Sequence, residues 1–201
     1  MKKTIILFSI ITIIPLTISA QDINQKVHEL GISLDGPSRF GVRYRSGSEV
    51  TLLRLTLLSI SGGNNYYSSR SDPTIMNGYY GLGFNAGIEK RNNISNNLSF
   101  YYGSDILLSY GGNKSDDPTW SNSSKSWSAS TGLGVVLGFV YKINNDINIS
   151  AEIVPSLEYS FGKSTNINNG TTTTQTNKGI DYGLTNSVGN VTLSFRLGKK
   201  N

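Results

Sequence analysis

Apolar and small polar side chains alternate along most of this chain with a period of two residues. That is the period of a β-strand whose two faces meet different surroundings. Runs of this kind fall at 27–34, 39–45, 50–61, 79–90, 98–110, 129–141, 147–162 and 188–198. In 129–141 one face carries Leu133, Val135, Leu137, Phe139 and Tyr141, and the other Gly132, Gly134, Val136, Gly138 and Val140. In 188–198, Val191, Leu193, Phe195 and Leu197 oppose Asn190, Thr192, Ser194 and Arg196. No run has a helical period; even EVTLLRLTLLSIS is bounded by the turn signals SGS and SGGNN. The pattern predicts eight antiparallel strands.

The connections differ in length. SGSE (46–49), NNISNN (92–97) and NNDI (144–147) are short and rich in turn formers, whereas 61–78, 111–127 and 163–187 are long and polar. DGPS (35–38) is the one brief connection on the long side. Short turns on one rim and long loops on the other are the layout of an outer-membrane barrel, and an even strand count puts both termini on the turn side. A soluble barrel or sandwich has the same period with its faces reversed, so the polar face has to decide between them. A solvated sheet face is usually dotted with Lys and Glu. Here that face is mostly Gly, Ser, Asn and Thr, which suits the narrow interior of eight closed strands. The bulky face then meets lipid. Aromatic residues fall near its ends: Phe40, Tyr80, Tyr110, Tyr159 and Phe161 toward the loops, and Tyr44, Phe100, Phe139 and Tyr141 toward the turns. Two such belts are expected at membrane interfaces. The expected fold is all-β, an eight-stranded antiparallel up-and-down transmembrane β-barrel. Pro155 is the one discord, because it lacks the N–H that a closed sheet requires. A tilted strand crosses a membrane in about 9–11 residues, so Pro155 is expected near the outer boundary of the apolar band, at a bulge or pairing gap.

The first residues, MKKTIILFSIITIIPLTISAQD, combine a basic start, an apolar core and a small-residue cleavage site. They read as a signal peptide over 1–20 ahead of a barrel domain over 21–201. An anchor helix is the alternative, but Pro15 interrupts the apolar run and leaves it short of a span. The chain has no cysteine and a net charge of +5, or +3 without Lys2 and Lys3. That balance is too weak to point to nucleic acid.

On these strands the chain resembles the small eight-stranded outer-membrane β-barrel proteins of Gram-negative bacteria, of the outer membrane protein A and X type. The glycine-alternating YYGLGFNAGIEKR and GLGVVLGFVYKI and the closing NVTLSFRLGKKN carry the likeness. The resemblance implies residence in the outer membrane as a monomer, among its lipids and lipopolysaccharide, after insertion by the barrel-assembly machinery. Barrels of this kind commonly end in an aromatic residue that the machinery reads; here Phe195 is followed by RLGKKN. No periplasmic domain is expected after the last strand.

Charge is sparse, and the inward face collects Glu29, Arg43, Arg54, Glu89, Asp105, Glu152, Glu158 and Arg196. Buried ions are costly unless paired, so these residues are expected to form a charge network that closes the lumen. A gated ion path and a catalytic carboxylate pair are the alternatives. The long loops offer Tyr66, Tyr67, Arg70, Trp120 and Trp127 as candidates for recognition of an extracellular ligand, or for packing the loops together. The Asn/Thr-rich 164–178 reads as a solvated loop. Barrels that act on lipid A or surface peptides are similar in fold. A hydrolytic site would need a histidine near a nucleophile, and the single histidine, His28, falls on the periplasmic rim. No metal or cofactor motif is present in the sequence. GLGFNAG is a strand with lumen-facing glycines, because no helix follows it. The expected role is a non-enzymatic barrel that supports the envelope or mediates adhesion or recognition; a membrane enzyme or a minor pore is the alternative.

Overall fold

The computed structural model describes residues 26–35, 40–69, 72–117, 122–184 and 189–197. The expected signal peptide lies outside these residues. Ten strand segments are described, in chain order: β1 (Val27–Asp35), β2 (Phe40–Gly47), β3 (Thr51–Ser69), β4 (Asp72–Asn93), β5 (Leu98–Asp117), β6 (Asn122–Lys142), β7 (Ile147–Ile153), β8 (Ser156–Asn168), β9 (Thr171–Gly183) and β10 (Asn190–Leu197). β7 and β8 are two parts of one strand, as are β9 and β10, so the barrel has eight. Every pairing is antiparallel, and β1 against β10 closes the ring.

The alternation read from the sequence survives as an inside and an outside, with the soluble arrangement reversed. Leu30, Ile32, Leu34, Leu133, Val135, Phe139, Val191, Leu193 and Phe195 are exposed on the outer surface, and the polar residues between them are buried. Such an exterior is stable only against hydrocarbon, and a closed ring leaves no backbone edge within it. This is the architecture of a membrane-spanning barrel.

Two aromatic belts bound the apolar band. The lower pairs His28 with Tyr44, and Phe100 with Tyr102 and Phe139. The upper runs Tyr80, Tyr110, Trp127, Phe161 and Tyr159, with successive ring centroids 5.8–6.3 Å apart. Phe100 and Tyr110 stand ten residues apart on β5, which is about 25 Å of height for a strand tilted by about 40°.

The strands outrun that band, and this corrects the expected loops. β3, β4, β5 and β6 are 19, 22, 20 and 21 residues long. The segment 164–178, read as a solvated loop, is a hairpin of β8 and β9 that turns at Asn169–Gly170, both at positive φ. Above the membrane both faces are wet, so the ladder persists without the apolar period that announces it. The β1–β2 hairpin stays low by contrast. Beyond Leu58, β3 pairs only with β4, and β9 pairs only with β8, among the described residues. Two strand edges therefore rise on either side of the low hairpin.

Pro155 sits at the expected pairing gap but not at the expected height. β7 ends at Ile153 and β8 begins at Ser156. Val135 N–H donates to the Pro155 carbonyl at 2.9 Å, and the reciprocal bond cannot form because proline has no N–H. On the other side, the three residues between Glu152 and Ser156 are matched by six between Gly183 and Asn190, so the last strand carries three extra residues at this level. Exposed Leu157, Tyr159 and Phe161 continue the lipid-facing surface past Pro155, and Phe161 belongs to the upper belt. The gap therefore lies inside the apolar band, and the proline does not mark its edge. The ladder against β6 keeps its register on both sides of the gap.

Candidate functional site

The lumen holds the densest chemistry in the molecule. Glycines make room for it. Arg43 lies opposite Gly31, Arg54 opposite Gly87, Glu89 opposite Gly103, Asp105 opposite Gly134 and Glu152 opposite Gly138. At Gly138 an added Cβ would stand 2.5 Å from Cζ of Tyr101 and 2.6 Å from the Ala151 carbonyl. The bare glycine lets Tyr101 reach across it and donate to Glu152 Oε2 at 2.8 Å.

Four arginines and four carboxylates interlock here, all buried. Glu152 accepts from Arg43 Nη2 at 2.5 Å and from Arg54 through Nη2 at 2.9 Å and Nη1 at 3.1 Å. Arg54 Nε approaches Asp105 at 3.1 Å, and its Nη1 lies 3.4 Å from Glu89. Glu89 also meets Arg45 Nε at 3.0 Å and Arg91 Nη2 at 2.8 Å. Arg91 grips Glu29 with two bonds of 2.8 Å, and Asn148 Nδ2 donates to the same carboxylate at 3.1 Å. Arg43 also donates from Nε to the Thr56 hydroxyl at 3.1 Å and from Nη1 to that of Thr192 at 3.0 Å. The charges balance four against four, as burial in a narrow lumen demands. Beside this network lies an apolar cluster of Tyr101, Val136, Val140 and Val154, contributed by inward positions of β5 and β6 and by the gap residue Val154.

Six of the eight inward charges read from the sequence join this network. The other two do not. Glu158 is buried farther toward the loops, accepting from Ser130 and Ser156 hydroxyls at 3.0 Å each. Arg196 has inward parity but grips Glu49 with bonds of 2.8 and 3.0 Å at the periplasmic rim, because β10 ends one residue later and leaves its long side chain in reach of the β2–β3 turn. Two members of the network, Arg45 and Arg91, are absent from the sequence reading. Both have the inward parity of Arg43 and Glu89, which is the signal that finds them; Arg91 lies one residue beyond the end of the apolar run.

His28 faces outward, where its Nδ1 lies 2.8 Å from the Tyr44 hydroxyl and 3.1 Å from that of Ser46. The wall separates it from the lumen carboxylates. Of the loop candidates, Trp127 is corrected to a member of the upper aromatic belt, packed between Tyr110 and Phe161. Tyr66 and Tyr67 lie on the rising part of β3, paired with Met76 and Ile75. Arg70 and Trp120 lie outside the described residues.

No family model matches the sequence, and no curated protein does. Solved structures do match. A major outer membrane protein from Thermus thermophilus superposes with a TM-score of 0.53 at 7% identity, covering 87% of this chain and all of that one. The attachment invasion locus protein Ail of Yersinia pestis gives 0.41 at 12% identity, over 86% of this chain and 95% of its own. Neisserial surface protein A gives 0.37 at 14% identity, over 86% and 93%. The fold is that of the small eight-stranded outer-membrane barrels.

Proposed function

We propose that this protein is a non-enzymatic surface-recognition barrel, in which a closed membrane-spanning base holds up a tall extracellular sheet for contact with another molecule. The observation that carries this reading is strand length. A crossing needs about 9–11 residues, yet β4 has 22 and β6 has 21. Ordering that much chain above the membrane is expensive in entropy, and a barrel that only sealed or stiffened the envelope would have no use for it. A rigid platform loses little further freedom on binding, which favours recognition. The balanced ion network supports the same reading from the other side, since it fills the lumen that a transport function would need open.

Shortening the β8–β9 hairpin by removing residues 165–174 and joining Ser164 to Gln175 with a two-residue turn tests this. Cells of a laboratory Gram-negative strain displaying the full-length chain are expected to attach to epithelial cells or matrix-coated surfaces above the empty-vector level. The shortened barrel, shown folded by its heat-dependent gel mobility, should lose that attachment. Equal attachment by both forms, or none by either, would overturn the proposal.

A further inference from the structure

Four lysines stand on the outer surface just above the upper aromatic belt, and nothing in the lumen chemistry or the recognition role uses them. Lys114 on β5, Lys125 on β6, Lys163 on β8 and Lys178 on β9 are all exposed and lie on four successive strands. Lys114 is directly opposite Lys125. Lys163 is opposite Trp127, and Lys178 is opposite Phe161, both belt residues. From β6 onward the lysines step toward the membrane by two residues per strand.

That descent matches the tilt of the barrel. The row of partners that leaves Arg91, near the periplasmic end of β4, passes through Tyr101, Gly138, Glu152 and Asn190 and arrives at Asp35, the outer end of β1. Rows of paired residues therefore climb from β4 toward β1, and a line of constant height must descend through them. Lys125, Lys163 and Lys178 follow such a line at a single level, and Lys114, in the same row as Lys125 on β5, sits one step lower, so the four form one arc just above the belt. The apolar belt lies directly beneath.

An arc of like charges is unfavourable by itself, and like charges directly opposite in a ladder repel. Asp116 lies 2.5 Å from Lys114 and is the one carboxylate that pairs with a lysine of the arc among the described residues. The arc keeps a net surplus of three positive charges, four lysines less Asp116, at the height where a lipid headgroup meets the outer belt. We infer that it is a binding site for the phosphate groups of a phosphorylated glycolipid of the outer leaflet, with acyl chains packed on Leu108, Leu133 and Leu157 below the belt and phosphates held by the lysines above. This inference rests on the membrane-spanning fold and is independent of the recognition role. It gives residues to the lipopolysaccharide contact that the sequence resemblance only implies in general.

The test uses the purified full chain and native mass spectrometry with three probes: lipid A, lipid A stripped of its phosphates, and phosphatidylglycerol. The wild type should retain lipid A about tenfold better than either of the others. The combined Lys114→Gln, Lys125→Gln, Lys163→Gln and Lys178→Gln variant should lose that preference, while Lys90→Gln with Lys142→Gln, on the periplasmic side, should keep it. Each variant is checked for folding by heat-dependent gel mobility, and the wild-type comparison of probes stands even if the fourfold variant does not fold. Equal retention of phosphate-free lipid A or of phosphatidylglycerol by the wild type would overturn the inference. So would an undiminished preference in a folded fourfold variant.

Discussion

Glu152 is the residue on which the lumen converges. It holds Arg43, Arg54 and the Tyr101 hydroxyl at once, so its removal leaves the buried Arg43 with no carboxylate and takes one of three from Arg54. Removing one partner of a buried ion pair costs about 3–5 kcal/mol, because the other charge is left uncompensated. Glu152→Gln keeps the shape and removes the charge, and it is expected to lower the stability of the barrel by about that amount. Tyr101→Phe removes one hydrogen bond to a charged group and should cost less, about 1.5–3 kcal/mol. Urea unfolding in lipid vesicles measures both, and the reverse order of the two would contradict the network as described. Most of this cluster could be read from the sequence, because inward parity and the cost of an unpaired charge together require arginines to meet carboxylates. Which pairs form could not be read. Arg196 shares the parity of Ser194 and Thr192 yet bonds to Glu49 on a turn, since a side chain at a strand end is free to choose its partner.

Along a single strand, the membrane half is legible in the sequence and the extracellular half is not. Within the lipid, the two-residue period of β6 sets exposed Leu133, Val135, Phe139 and Tyr141 against inward Gly134, Val136, Gly138 and Val140. Above it, SSKS and TTTTQT carry no apolar period, although they are as fully laddered as the rest. Pro155 is legible as an anomaly, but its height is not, because a crossing counted from Ile147 ends there while the apolar face runs on to Phe161. Its consequence is local. The Val135 carbonyl faces a proline nitrogen inside the apolar band, where a missing hydrogen bond is costly. Pro155→Ala supplies that donor. The gain in hydrogen bonding, about 1 kcal/mol or more in lipid, should exceed the roughly 0.4–1 kcal/mol lost by freeing the unfolded chain. The expected outcome is a higher urea midpoint and a slowly exchanging amide at position 155. Exchange at the rate of an open amide would show that the gap persists without the proline.

At the scale of the whole barrel, the question is whether the filled lumen lets anything through. Eight strands enclose only enough space for side chains, and here that space is filled in two different ways. One is the balanced set of four arginines and four carboxylates; the other is the dry cluster of Tyr101, Val136, Val140 and Val154. The two meet at Tyr101, whose ring joins the apolar cluster and whose hydroxyl reaches Glu152. Ion pairs alone can rearrange when one charge is removed, and water would then follow the freed groups. An apolar plug has no such groups to solvate, so it should hold when the ion network is weakened. Planar-bilayer recordings of the wild type are therefore expected to show no discrete conductance steps, and Glu152→Gln should remain silent as well, although less stable. Steps in the variant but not in the wild type would assign closure to the ion network alone. Steps in both would mean that the lumen is an open path, and would return the barrel to the class of small pores.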